Sequence, residues 1–151
     1  MGVYRSKPKT DKESEDGGCY TSCTAKFGVS AMQGWRQGME DAHLAKHNFR
    51  EDIGVFGVFD GHGGAAVSNW VAEHFIEVLE AEIAKSEERV KEKPEGSLEH
   101  EKEVEVIVDG LVHTFLGCDD LMRQKEHREK IKGIHEKMKP SNDDDEEDEE
   151  G

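Results

Sequence analysis

The sequence predicts an α+β fold, with short strands in its first part and two antiparallel amphipathic helices after them. Three observations carry this. Residues 26–60 hold three short strand-like runs separated by glycine-bearing turns. The apolar period changes to a helical one beyond Gly64. A second helical repeat follows a loop containing Pro94 and Gly96.

The first run alternates Phe27, Val29 and Ala31 with Gly28, Ser30 and Met32. The second alternates Ala42, Leu44 and Lys46 with His43, Ala45 and His47. The third, 53–59, is almost continuously apolar and ends at Asp60-Gly61, the pattern of a buried strand. Three strands in so short a span predict a meander. Next, Val67, Val71, Phe75, Leu79 and Ile83 recur every four residues, with Trp70, His74 and Val78 in the adjoining row. They predict a helix to about Arg89. Val104, Val108, Leu111, Phe115, Cys118 and Met122 predict the apolar face of a second helix. A charged continuation over 124–139 ends at Pro140.

Residues 1–24 are polar and aperiodic and read as a flexible leader, and 140–151 as a disordered acidic tail. The formal net charge is −15. The run 143–150 supplies eight of the negative charges, which leaves −7 on the rest. Such a chain repels phosphate backbones, which argues against nucleic acid as a partner. No apolar run approaches the roughly 20 residues of a membrane span, and the polar start shows no secretory signal. Three cysteines, an odd number, fit a reduced cytoplasmic protein, with the nucleus left open. Cys19 and Cys23 with His43 and His47 mimic zinc-ligand spacing, but the intervening gap is long for a finger, and free thiols are the simpler reading. The start Met1-Gly2-Val3-Tyr4-Arg5-Ser6 fits the N-myristoylation pattern at Gly2, which implies weak, reversible membrane association.

Two segments concentrate chemistry. The second is the simpler: a buried strand meets Asp60-Gly61-His62-Gly63-Gly64 and then a helix, a favoured place for functional groups. Asp60 is costly to bury there unless paired or bound to a cation. Glu40 and Asp41, in the first segment, add two carboxylates. Together with the Gly61 carbonyl they make an oxygen-rich donor set, suited to Mg²⁺ or Mn²⁺ rather than zinc. Arg36 offers a planar fork for phosphate, and His62 a proton donor near neutral pH. Taken singly, each has a blander reading as a turn or surface residue; their combination carries the argument.

At these residues the chain resembles a known family. Ser30-Ala31-Met32-Gln33-Gly34-Trp35-Arg36, followed by Met39-Glu40-Asp41-Ala42-His43, resembles its first signature. Phe56-Gly57-Val58-Phe59-Asp60-Gly61-His62-Gly63-Gly64 resembles its second. The family is the metal-dependent protein phosphatases, often called protein phosphatase 2C, and the likeness extends over about residues 26–125. The resemblance implies a partial β-sandwich of the 2C type, its N-terminal strands carrying two antiparallel helices on one face. It implies hydrolysis of phosphoserine and phosphothreonine in phosphoprotein substrates by metal-activated water, with two Mg²⁺ or Mn²⁺ ions. Asp60 would bridge the ions, the Gly61 carbonyl would bind one, and Glu40 and Asp41 would hold an ion directly or through water. Arg36 would grip the phosphate, and His62 would protonate the leaving oxygen.

The family's later strands and further metal-binding aspartates have no counterpart here. The expectation is therefore the N-terminal half of a phosphatase domain over 25–139, in a truncated chain inactive alone, with an exposed sheet edge and low stability. Asp109-Gly110-Leu111 imitates a later motif, but Leu111 fits the second helix's apolar face, so the pair is read as a decoy. A non-catalytic phosphatase-like protein, or an acidic interaction module, is the alternative.

Overall fold

The structure, a computed structural model, describes residues 4–19, 26–50, 53–91 and 99–138. It is an α+β arrangement of four strands and three helices. The contacts divide it into two units, one of residues up to Asn69 together with those from Gly133 onward, the other of Trp70–Lys132.

In the first unit, β1 (Tyr4–Cys19) pairs antiparallel with β2 (Lys26–Arg36), and β3 (Ala42–Arg50) pairs antiparallel with β4 (Ile53–Phe59). The three runs expected as strands are β2, β3 and β4, but β4, expected to be buried, has no fully buried residue and exposes Phe56 and Val58. The three runs do not form one meander: β2 takes β1 as its partner, and the sheet β3-β4 is separate.

Strand β1 corrects the reading of 1–24 as a flexible leader. Its sixteen residues are nearly all polar, so neither hydropathy nor period announces a strand. The backbone ladder to β2 needs no apolar side chain. What β1 adds is polar cross-strand contact, such as the Ser14 and Ser30 hydroxyls 3.0 Å apart. Its register slips in three places, as expected where no buried face fixes it.

Phe27 of β2 packs on His47 of β3, ring centres 5.6 Å apart, and on Phe56 of β4 at 5.1 Å. His47 is thus occupied by a ring contact. No group of three or more His, Cys, Asp or Glu among the described residues is arranged to hold an ion. Cys23 of the zinc-like spacing lies outside those residues, as do Gly2 and the acidic tail.

Helix α1 (Ala66–Lys91) begins in the first unit, and from Trp70 on, in the second, it runs antiparallel to α2 (Glu99–Arg123). Phe75 meets Phe115, the site of Gly117 lies against Val78, that of Gly110 against Ile83, and Arg89 pairs with Asp109. The expected face of α1 is largely the buried one: Trp70, Phe75, Val78, Leu79 and Ile83 are in the core. Full burial of a side chain such as Leu79 stabilises by about 1.5–3 kcal/mol.

Helix α2 departs from expectation. Val104, Val108 and Phe115 are exposed, and the row packed inward is Gly110, Thr114 and Cys118. Small side chains let the helix axes approach closely, and the distance between helices depends on the residues at the contact. Thr114 keeps its buried hydroxyl satisfied by donating to the Gly110 carbonyl at 2.8 Å. The charged continuation forms α3 (Lys125–Lys137), which has no fully buried residue. It is supported by spaced pairs such as Lys130–Glu126 at 3.2 Å.

Candidate active site

The register of the β3-β4 hairpin brings the two chemical segments together. Ala42 stands opposite Phe59. The residue before one and the residue after the other are Asp41 and Asp60, so both carboxylates leave the same end of the hairpin. Arg36 closes β2, and residues 37–41 carry the chain from it into β3. Five of the six site residues within the described chain, Arg36, Glu40, Asp41, Asp60 and Gly61, line one cleft of 350 Å³. His62, the sixth, is exposed and stands outside that lining.

Two glycine features make this convergence possible. A Cβ on Gly61 would fall onto the Glu40 carbonyl oxygen and lie 3.0 Å from the Glu40 Cβ. Only a residue without a side chain lets the end of β4 come this close to the Glu40 backbone. Beyond it, Gly63 and Gly64 have φ of 74° and 125°, values that turn the chain sharply into α1 and that other residues rarely adopt.

The start of α1 braces the Glu40 turn from outside the cleft lining. Ser68 is buried, and its hydroxyl is placed to donate to the Glu40 carbonyl and, at 3.0 Å, to the Ala65 carbonyl. Asn69 adds a side-chain bond to Ala65 at 2.8 Å. The Glu40 turn is therefore tied to the first turn of the helix that follows Asp60. Ser68 was not singled out by motif. Its signal was a polar residue beside the apolar rows of α1, where a buried hydroxyl needs a partner.

Arg36, like Asp41 and Asp60, is exposed, while Glu40 and Gly61 are half-buried. The Arg36 Nη2 lies 3.9 Å from the Glu40 carboxylate, a weak pair at the surface that leaves most of the guanidinium fork open. The main-chain carbonyl of Arg36 is held by the Gln33 side chain at 2.8 Å. The cleft thus sets one planar cation beside three carboxylates and the Gly61 backbone. Hard divalent cations favour such oxygen donors, so the donor chemistry fits Mg²⁺ or Mn²⁺. The donor types suit a phosphate and a cation, although among the described residues the acids are not gathered into a group that would hold an ion.

The family model for protein phosphatase 2C matches residues 25–139. The chain is 40% identical over 125 residues to the probable protein phosphatase 2C 2 of Paramecium tetraurelia, covering 83% of this chain and 38% of that protein. It is 51% identical over 87 residues to the probable protein phosphatase 2C 58 of Oryza sativa subsp. japonica, covering 58% of this chain and 22% of that one. It is 49% identical over 74 residues to the probable protein phosphatase 2C 60 of Arabidopsis thaliana, with 49% and 20% covered. The chain spans about two fifths or less of the length of these relatives.

Proposed function

The chain belongs to the protein phosphatase 2C family, and on that premise we propose that its cleft is the phosphate- and metal-binding part of a protein serine/threonine phosphatase. The observation that carries this is the meeting of Arg36, Glu40, Asp41, Asp60 and Gly61 in one cleft. The substrate class is phosphoserine and phosphothreonine in proteins.

The roles follow from chemistry. Arg36 holds two oxygens of the phosphoryl group with its fork and is steadied by Glu40. Asp60, Glu40, Asp41 and the Gly61 carbonyl would hold Mg²⁺ or Mn²⁺. When bound, such cations acidify water and screen the charge of the phosphoryl oxygens. His62, exposed beside the cleft, gives a proton to the departing serine or threonine oxygen.

The 151-residue chain by itself turns over far below a family-like rate. Its three site carboxylates carry three negative charges against the four of two divalent ions, and small misplacements cost orders of magnitude in rate. The same shortage favours phosphoprotein binding without turnover as the second reading. No helix among the described residues is long and apolar enough to cross a membrane. A cytoplasmic protein with a myristoyl group on Gly2 is the accompanying proposal, checked by intact mass after co-expression with a myristoyltransferase; an unmodified Gly2 discards it.

Binding is the decisive test. With millimolar Mn²⁺, a labelled phosphoserine peptide is expected to bind more tightly than its unphosphorylated twin, and Arg36→Ala to weaken it about tenfold or more. Equal affinity for the two peptides overturns the reading. Mn²⁺-dependent hydrolysis that Asp60→Asn abolishes would instead show that the chain is a competent enzyme.

A further inference from the structure

A second cavity, of 540 Å³, adjoins the cleft. It shares Gln33, Gly38, Met39 and Glu40 with it and extends to Arg5, Lys9, His135 and Lys137. These basic residues come from the two ends of the described chain, β1 and the last turn of α3. His135 lies over the glycine turn, with its Nδ1 3.5 Å from where a Gly64 Cβ would stand.

The blander explanation covers only half of the cluster. Cations in the last turn of a helix are favoured by its dipole, which accounts for His135 and Lys137. Arg5 and Lys9 lie on a strand and have no such reason to be there. The Nε of Arg5 is buried and makes no hydrogen bond within the described structure. A buried guanidinium N–H without a partner is costly, so its presence beside a cavity points to a missing acceptor. Among the described residues, Arg5, Lys9 and Lys137 form no ion pair. The one acid in the lining, Glu40, faces Arg36.

We propose that this cavity is a subsite for a second anionic group of the substrate, a carboxylate or phosphate side chain close in sequence to the phosphorylated serine or threonine. The proposal rests on the phosphatase reading, because the shared wall joins the subsite to the phosphate cleft. An arginine fork flanked by lysines suits either anion. The chain as a whole carries −15, so long-range attraction does not bring an acidic peptide in. The preference is local and depends on these side chains.

The test uses the full 151-residue chain with Mn²⁺ and four labelled peptides of one sequence. One is unphosphorylated; the others carry phosphoserine with neutral, aspartate or phosphoserine neighbours on both sides. The expected result is at least about fivefold tighter binding with an anionic neighbour, a gain reduced by half or more in Arg5→Lys, which keeps charge but loses the fork, and in Lys137→Gln on the exposed helix end. Affinity for the neutral-flanked phosphopeptide stays within about twofold in both. A gain confined to the peptide with phosphoserine neighbours identifies phosphate as the ligand; a gain with both anionic neighbours identifies any anion. Arg36→Ala weakens every phosphopeptide and leaves the gain intact. No gain in the wild-type chain, or an equal drop in the control Lys12→Gln, overturns the subsite and leaves the phosphatase reading standing. Failure to distinguish phosphorylated from unphosphorylated peptide overturns that reading itself.

Discussion

Two Asp-Gly pairs occupy this chain in opposite ways. Asp60-Gly61 ends a strand, and its glycine lets the backbone press against Glu40, so the carboxylate opens onto a cleft. Asp109-Gly110 lies inside α2, and its glycine lets that helix press against Ile83. There the carboxylate meets the Arg89 guanidinium, whose Nε donates at 3.0 Å. In both places glycine allows close approach and aspartate stands beside it. The difference is the partner. Asp109 has a cation supplied by the preceding helix, α1, whereas Asp60 stands with other acids and one exposed arginine. A dipeptide therefore says little about function until the neighbouring element is known.

Substitution of each glycine should separate the two roles. Gly61→Ala is expected to have the largest effect. Its Cβ would displace the Glu40 backbone, which no rotamer change relieves. Because a shift of about 1 Å in a binding group costs on the order of a hundredfold in rate, phosphopeptide affinity should fall at least about tenfold. Far-UV circular dichroism should stay close to wild type, since only the first turn of α1 is tied to Glu40 and the rest of α1 and α2 does not depend on this contact. Affinity within twofold of wild type would mean that the turn has room to relax and the close approach is not needed.

Gly110→Ala should do the reverse. The new Cβ would lie 2.6 Å from the Cγ1 of Ile83, a side chain only 1% exposed, with the Ile83 backbone 3.2 Å away. Overpacking of this kind costs about 1–3 kcal/mol. Replacing a helical glycine returns about 1 kcal/mol at most. Steric strain wins, so urea unfolding should show a net loss of roughly 1 kcal/mol, with phosphopeptide affinity unchanged. A stabilised variant would show that the helices can separate without cost.

The same contrast explains what the sequence made legible. The cleft residues were readable because Trp35-Arg36 through Asp41 and Phe59 through Gly64 are contiguous stretches with unusual composition. Helix α1 was readable because its large apolar residues do the packing. Helix α2 was readable as a helix and Cys118 as part of its packed face, but Gly110 and Thr114 were not readable as buried, since they pack by being small rather than apolar. Strand β1 was invisible because a polar ladder partner has no hydropathy signal. The cluster of Arg5 with His135 joins residues far apart in the chain, and no local pattern announces such a meeting.

The smallest expected effect concerns the second pair. The Arg89 guanidinium, its leading cause, holds the Asp109 carboxyl below the ordinary carboxylate range. A carboxyl whose pKa is lower in the folded than in the unfolded chain stabilises the fold above its unfolded value, about 3.9. That contribution is present in full near neutral pH and is lost as pH falls through the still lower folded value. Asp109 is exposed to solvent around this pair, and surface ion pairs of this kind contribute little. Asp109→Asn should therefore lower the urea midpoint slightly at neutral pH, and the gap from wild type should close as the solution is acidified below the usual carboxylate range. Added salt should narrow it in the same way, because the pair is open to screening. Arg89→Ala should return the Asp109 titration, followed by NMR, toward its ordinary value. If Asp109 titrated normally in the wild-type chain, the ion pair would not be formed in solution, and the contrast with Asp60 would rest on the helix packing of Gly110 alone.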